Sequence, residues 1–180
     1  CIRDRIQTVK LADTSILGDI ELVVFRAIDK LDRLGLEGVK NLLAKGRTDS
    51  SGDFTEGANL SVSQIDTIIS FLKITNDDPF KTLEEMKYLI GDSEIGQQGI
   101  SELGNITDTL LSKDISNLSF KIDPSVVRGL AYYTGTVFET ELSTPTRSLG
   151  SISGGGRYDD LVSRFTGQKV PSTGVSIGID

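Results

Sequence analysis

The chain has 180 residues, 37% of them hydrophobic and 25% charged, with 26 acidic against 19 basic side chains and a formal net charge of −7. One cysteine and no histidine exclude an internal disulfide and an imidazole-activated serine or cysteine nucleophile, and they make an all-protein zinc site improbable. The acidity argues against a whole surface that grips nucleic acid, and the lack of a membrane-length apolar run or a cationic leader points to a cytoplasmic protein.

The length suits one domain or two small ones. In chain order, Gly18 to Gly35 predicts the clearest helix. Ile20, Val23, Val24, Ala27, Ile28, Leu31 and Leu34 recur at spacings of three and four and make one apolar stripe. Gly35 suits a left-handed stop. Asp29, Lys30 and Arg33 read as its solvated face. Leu36, Val39, Leu42 and Leu43 predict a short helix closed at Gly46, followed by a polar loop from Arg47 to Gly57. Asp49-Ser-Ser-Gly-Asp53 is its turn and lacks the spacing of a calcium loop. Lys40, Lys45 and Arg47 could make a local phosphate-binding patch, but a solvated helix end and loop is the preferred reading.

Ser61 predicts a cap for a helix carrying Val62, Ile65, Ile68, Ile69 and Leu72. Pro79 predicts the start of another with Leu83, Met86, Leu89 and Ile90. A third runs from about Asp92 to Leu111, with Gly96, Gly99 and Gly104 as weak points. This middle region reads as a small all-helical domain with no catalytic constellation. After Lys113 the apolar period becomes two. Leu118 to Ile122, Tyr132 to Leu142 and Ser148 to Ser153 read as strands, the last two forming a hairpin around Pro145. A short helix from Tyr158 to Phe165 should turn Leu161, Val162 and Phe165 inward, and Val175 to Ile179 opens one more element.

Two blocks carry the chemistry. Val127-Arg-Gly-Leu-Ala-Tyr-Tyr-Thr-Gly-Thr-Val-Phe-Glu139 sets a guanidinium beside two tyrosines, and Ser153-Gly-Gly-Gly-Arg-Tyr-Asp159 follows with a second Arg and Tyr. Arginine offers a rigid fork of donors to phosphate, and glycine lets backbone approach a ligand, so the blocks suit a pocket for a phosphorylated molecule. Arg128 and Tyr133 are five apart and would face opposite sides of one regular strand. They can share a pocket only if the backbone bulges or turns, which Gly129 permits. Arg128 is therefore expected in a loop, with Tyr133, Gly135, Val137 and Glu139 alternating on one strand face. The plainer readings are a structural salt bridge for Arg128, core or rim tyrosines, and a tight turn for Gly154, Gly155 and Gly156.

In order and spacing, and with the closing Ser172-Thr-Gly-Val-Ser-Ile-Gly-Ile-Asp180, these blocks resemble the two histidine-specific signature motifs of the histidyl-tRNA synthetases, a class II aminoacyl-tRNA synthetase family. Phe25 to Gly35 also resembles the family's segment before its insertion domain. The resemblance implies an α+β fold, part of a class II antiparallel-sheet catalytic domain interrupted by a small all-helical insertion domain. Residues 1–35 would be a catalytic-domain segment and 36–118 the insertion. Residues 119–180 would be the catalytic strands with the start of motif three.

The implied activity is histidine–tRNA ligase. Arg128 would be catalytic and bind the α-phosphate of ATP, and Gly178 would belong to the ATP site. Tyr132, Tyr133, Tyr158, Gly154, Gly155 and Gly156 would bind the substrate histidine. A tyrosine ring with one hydroxyl suits a flat imidazole that is polar at two edges. ATP would be a substrate, with Mg2+ in the parent enzyme but held by no residue of this chain. The other implied partners are histidine, the tRNA(His) acceptor stem through the insertion domain, and a second copy in a homodimer.

The sequence departs from the family pattern at Ala131, where an aspartate is usual. Class II motifs one and two and the anticodon-binding domain are missing, and the chain ends before the ATP-binding arginine of motif three. An internal piece of a protein of roughly four hundred residues is implied. The rival is a synthetase-like regulatory protein that senses histidine, for which Ala131 is the single point. A helical nucleic-acid-binding module is a weaker rival, opposed by the net acidity.

Overall fold

A computed structural model of the chain describes residues 17–116, 118–126, 133–144, 147–168 and 170–178. These fall into two compact units, residues 17–126 and 133–178.

The first unit opens with helix α1, Leu17–Ile28, which buries Val24, Phe25, Ala27 and Ile28. The apolar stripe extends to Leu34, but the helix does not. A tight turn at Asp29 and Lys30 separates it from α2, Leu31–Leu43, and Gly35 breaks the helical backbone inside α2. Gly35 has φ 63° and ψ 178°, a region open in practice to glycine alone. The expected glycine signal is real, but it marks a kink rather than an end.

Beyond α2, the predicted polar loop is a small antiparallel hairpin, β1 (Gly46–Thr48) paired with β2 (Phe54–Glu56). Its turn is the Asp49 to Asp53 segment. Asp49 Oδ1 accepts the backbone N–H groups of Ser51 at 2.9 Å and Asp53 at 3.0 Å. The chain then returns across the end of α2, where Ala58 N–H donates to Leu42 O at 2.9 Å and Leu60 N–H to Leu43 O at 3.0 Å. Carbonyls that the last helical turn cannot satisfy internally are paired in this way.

Helix α3, Val62–Leu72, starts at a reciprocal cap: Ser61 Oγ accepts from Gln64 N, and Gln64 Oε1 accepts from Ser61 N at 2.9 Å. Helix α4, Pro79–Ile90, has Asp78 as its cap, accepting from Phe80 N at 2.9 Å, with Pro79 in the first turn. Helix α5, Glu94–Ser112, is continuous through its three glycines. Buried Phe71, Ile74, Leu83, Met86, Ile90, Ile100 and Ile122 form one core across these helices. Among the described residues, no helix is long and apolar enough to cross a membrane.

Ile122 accounts for one difference from the sequence reading. The alternating Leu118 to Ile122 segment is not a strand; its described residues are turn and irregular chain. Leu118 is 91% exposed while Ile122 is buried in the helical core. With no sheet edge to pair with, the alternation only marks one residue that dips inward. Asp123 then anchors the segment. Burial pushes its carboxyl up, but the Lys121 ammonium at 2.8 Å and the Ser125 hydroxyl and N–H outweigh this and hold it below the usual aspartate range.

The second unit is a three-stranded antiparallel sheet in the order β3 (Val137–Thr144), β4 (Arg147–Arg157), β5 (Thr173–Ile177), with helix α6 (Asp159–Thr166) between β4 and β5. The predicted hairpin is present, and Pro145, around which its turn is expected, lies outside the described residues. Phe165, expected inward, is 84% exposed. The row Phe138, Gly155, Val175 crosses the sheet, with Ile177 next to Val175 on the same face. That face leaves Phe138, Val175 and Ile177 substantially exposed.

Candidate functional site

The glycine run is the middle of the central strand rather than a tight turn. Gly154 pairs with Glu139 and Ser176, Gly155 with Phe138 and Val175, and Gly156 with Val137 and Gly174. Alternation along β4 puts Gly154 and Gly156 on one face and Gly155 on the other. Directly paired residues share a face, so Val137, Gly156 and Gly174 form one row, and Glu139, Gly154 and Ser176 the next.

Aromatic rings of the chain itself occupy the space beside Gly155, Gly156 and Gly174. A β-carbon on Gly156 would come within 2.9 Å of Tyr133 Cδ1 and 2.8 Å of the Thr136 carbonyl. A β-carbon on Gly174 would collide with the Tyr158 hydroxyl, and one on Gly155 would lie 2.6 Å from Phe138 Cζ. Tyr133 and Tyr158 thus converge on the same face, over two glycines that are direct partners in the ladder. The two motifs, whose tyrosines stand 25 positions apart in sequence, meet at this point.

Tyr133 reaches this position by an irregularity. Arg157 N–H donates to Thr136 O at 3.1 Å while Arg157 O accepts from Thr134 N at 2.8 Å, so residues 134–136 loop around Arg157. Strand β3 starts only at Val137, and Gly135 turns toward the Arg157 side chain, 2.9 Å from Cδ for a β-carbon placed there. Gly135 therefore does not share the face of Val137 and Glu139, unlike the alternation expected. The bulge that brings an arginine-bearing loop and a tyrosine together was expected at Gly129, which lies outside the described residues, as do Arg128, Ala131 and Tyr132.

Asp159 ties the segments behind the tyrosines. Its Oδ1 accepts from Ser172 N at 2.8 Å, its Oδ2 from Arg157 Nε at 2.8 Å, and its own N–H donates to Thr134 Oγ1 at 3.0 Å. The Ser172 N–H first, and the Arg157 guanidinium after it, hold the Asp159 carboxyl below the usual aspartate range against the opposing effect of desolvation. Arg157, read from sequence as a second phosphate-directed cation, is an ion-pair partner of this carboxylate. Tyr158 N–H donates to Ser172 O at 2.9 Å, which fixes the tyrosine backbone between the same segments.

A depressed folded-state pKa adds stability that is fully present above the unfolded value and lost as pH falls through the folded one. The acid limb of the chain's unfolding midpoint, followed below the ordinary aspartate range, is expected to be shallower in Asp159→Asn than in the unaltered chain. An unchanged acid limb would show that the carboxylate is not coupled to folding.

Thr134, Asp159, Ser172 and Gly174 were not singled out as site residues from sequence. Asp159 directly follows the glycine-arginine-tyrosine run and Gly174 sits in the closing block, so proximity to the motifs was the available signal. Gly178 lies just past β5, with its N–H donating to Ile152 O at 2.9 Å. It is four residues from Gly174, about 13 Å along an extended strand, and so stands apart from the two tyrosines. Among the described residues, no group of three or more His, Cys, Asp or Glu side chains is placed to hold a metal ion.

With this geometry established, the relatives are decisive. The family model described as histidyl-tRNA synthetase matches residues 11–180. The chain belongs to the histidyl-tRNA synthetase family. It is 53% identical over 165 residues to a histidine–tRNA ligase of Roseobacter denitrificans, covering 88% of this chain and 32% of that protein. With the histidine–tRNA ligase of Rhizobium meliloti the identity is 49% over 175 residues, 91% of this chain and 34% of that one. The chain thus spans about a third of the length of these curated relatives.

Among solved structures, histidyl-tRNA synthetase from Nostoc sp. PCC 7120 superposes with a TM-score of 0.79 at 30% identity, covering 98% of this chain and 37% of that one. The fold is therefore that of a class II synthetase, mixed helix and antiparallel sheet as expected from sequence. A Bacillus halodurans protein described as an ATP phosphoribosyltransferase regulatory subunit/histidyl-tRNA synthetase shares the fold, with a TM-score of 0.70 at 22% identity over 97% of this chain and 40% of that one.

Proposed function

We propose that this chain is an internal part of a histidine–tRNA ligase that activates histidine with ATP and transfers it to tRNA(His). The observation that carries this reading is the meeting of Tyr133 and Tyr158 on one sheet face, over the paired Gly156 and Gly174. Two flat rings with hydroxyl tips form a wall suited to an imidazole, whose faces are apolar and whose edges hydrogen-bond. Gly154, Gly155, Gly156 and Tyr132 complete the histidine side of the site, Gly156 by seating Tyr133, while Gly155 seats Phe138 on the opposite face.

In the first step the histidine carboxylate attacks the α-phosphorus of ATP. The bond to the bridging oxygen breaks, and pyrophosphate leaves with its electron pair. Arg128 holds the α-phosphate and stabilises the charge that builds there, a fixed cation acting where charge develops. Gly178 belongs to the ATP side. In the second step the ribose hydroxyl at the tRNA 3′ end attacks the acyl carbon and expels AMP.

The division into 1–35, 36–118 and 119–180 assigns the helical segment to an insertion over the acceptor stem. The packing of α3, α4 and α5 around one core supports that assignment, although the same compact unit also takes in residues 17–35 and Ile122. The parent enzyme is cytoplasmic and a homodimer, and it uses ATP with Mg2+.

The full-length protein is expected to exchange pyrophosphate into ATP in the presence of histidine, and the 180-residue chain alone is not. Exchange by the isolated chain would mean that the remaining ligands for ATP lie within it. A full-length protein that binds histidine without any exchange would overturn the ligase in favour of a histidine sensor.

A further inference from the structure

Glycine weakens a strand interior, because it loses more chain freedom and packs nothing. Gly174 stands in β5 opposite Gly156, with a backbone conformation outside the left-handed region, so main-chain geometry does not require glycine there. The neighbouring side chain does. A β-carbon at Gly174 would overlap the Tyr158 hydroxyl and crowd Tyr158 Cε1 and Cζ at 3.2 Å.

Tyr158 cannot retreat by moving its backbone. Its N–H is held by Ser172 O at 2.9 Å, and its carbonyl accepts from Leu161 N at 3.0 Å at the start of α6. Asp159, the next residue, is bonded to Ser172 and Arg157 through its side chain and to Thr134 through its N–H. The ring therefore has a fixed root, and its hydroxyl end rests on the one position of β5 that lacks a side chain. Tyr133 rests in the same manner on Gly156, directly across the ladder.

We infer that Gly174 is a positioning residue that sets how deeply the Tyr158 hydroxyl sits against the sheet, and hence how far it stands out from the wall that Tyr158 and Tyr133 present to the substrate side chain. The inference rests on the reading of the two tyrosines as histidine-binding. Gly174 touches no substrate atom; it acts through the hydroxyl it accommodates. A methyl group there drives that hydroxyl outward from the sheet, which narrows the space for an imidazole against the wall while leaving the ATP side untouched.

The test is a double-variant cycle in the full-length protein, read by histidine-dependent pyrophosphate exchange with KM for histidine and for ATP measured separately. Gly174→Ala is expected to raise the histidine KM about tenfold or more, the scale at which a one-carbon misfit acts in a shaped pocket, with the ATP KM unchanged. Tyr158→Phe should raise the histidine KM by loss of the hydroxyl. Adding Gly174→Ala to Tyr158→Phe should then cost little more, because the colliding atom is gone.

Strictly multiplicative effects in the double variant would overturn the inference, since Gly174 would then act on something other than that hydroxyl. An unchanged histidine KM in Gly174→Ala, with a raised one in Tyr158→Phe, overturns the inference alone. An unchanged histidine KM in Tyr158→Phe overturns the histidine-binding reading itself. Should Gly174→Ala fail to fold, recovery of fold in Gly174→Ala/Tyr158→Phe supports the seat, and failure of that double variant too overturns it.

Discussion

Replacing Arg128 by alanine in the full-length protein is expected to lower the rate of histidyl-adenylate formation by about 100-fold or more, with little change in ATP affinity. The reasoning is differential binding. On the proposed role, Arg128 would be one of several partners of the ground-state triphosphate and would contribute modestly to holding it. As the carboxylate oxygen approaches, negative charge concentrates at the α-phosphoryl group, and a cation fixed there becomes more valuable than it was in the ground state. Pre-steady-state adenylate formation at saturating ATP and histidine separates the two effects. Near-normal turnover with weakened ATP binding would instead assign Arg128 to ground-state binding. Arg128→Lys should recover only part of the rate, because an ammonium keeps the charge but loses the planar fork.

The second large effect is on stability. Met86 is fully buried on α4, inside a cluster with Phe71, Leu83, Ile90, Ile100 and Ile122. Met86→Ala is expected to cost about 2–5 kcal/mol through lost apolar transfer and a residual cavity. Set against a typical domain stability of about 5–15 kcal/mol, that loss threatens the helical unit. Urea unfolding followed by helical circular dichroism should show a large fall in midpoint at nearly constant slope. Tyr88, two residues along the same helix, is 86% exposed. Its replacement by alanine should stay within about 0.5 kcal/mol. Equal effects at the two positions would refute the assigned core.

What the sequence revealed follows from how local each signal is. Ser61 and Pro79 announce helix starts through local effects, and both helices begin there, with Gln64 and Asp78 completing the caps. The long α5 survives its glycines because burial of Ile100 and Thr107 holds the helix against the core. The β1–β2 hairpin reads as loop in sequence because its strands are three residues long and carry one aromatic, Phe54. No apolar alternation marks it. Leu118 to Ile122 failed in the opposite sense, since alternation without an available partner strand does not make a sheet.

At the candidate site, the motif tyrosines were legible as residue types in order. Their shared face was not, because it depends on register: Gly156 opposite Gly174, with the chain looping around Arg157. The role of Asp159 as a tie between Ser172, Arg157 and Thr134 depends on the same long-range pairing. The glycine run invited a reading of ligand approach, whereas its immediate neighbours are Tyr133 and Phe138.

The sheet unit carries a further consequence for handling the chain. Among the described residues β3 and β5 are each paired on one side only, and β5 turns Val175 and Ile177 outward with 57% and 66% of their surfaces exposed. A strand with open N–H and C=O groups and apolar side chains is a template for adding another strand. No proline interrupts Thr173–Ile177, and no charged residue lies within it. Produced alone, the 180-residue chain will therefore be least soluble at this margin, and lysine at Val175 or Ile177 is the substitution that would blunt it. In a longer polypeptide the same margin is where the next segment of sheet can be laid down.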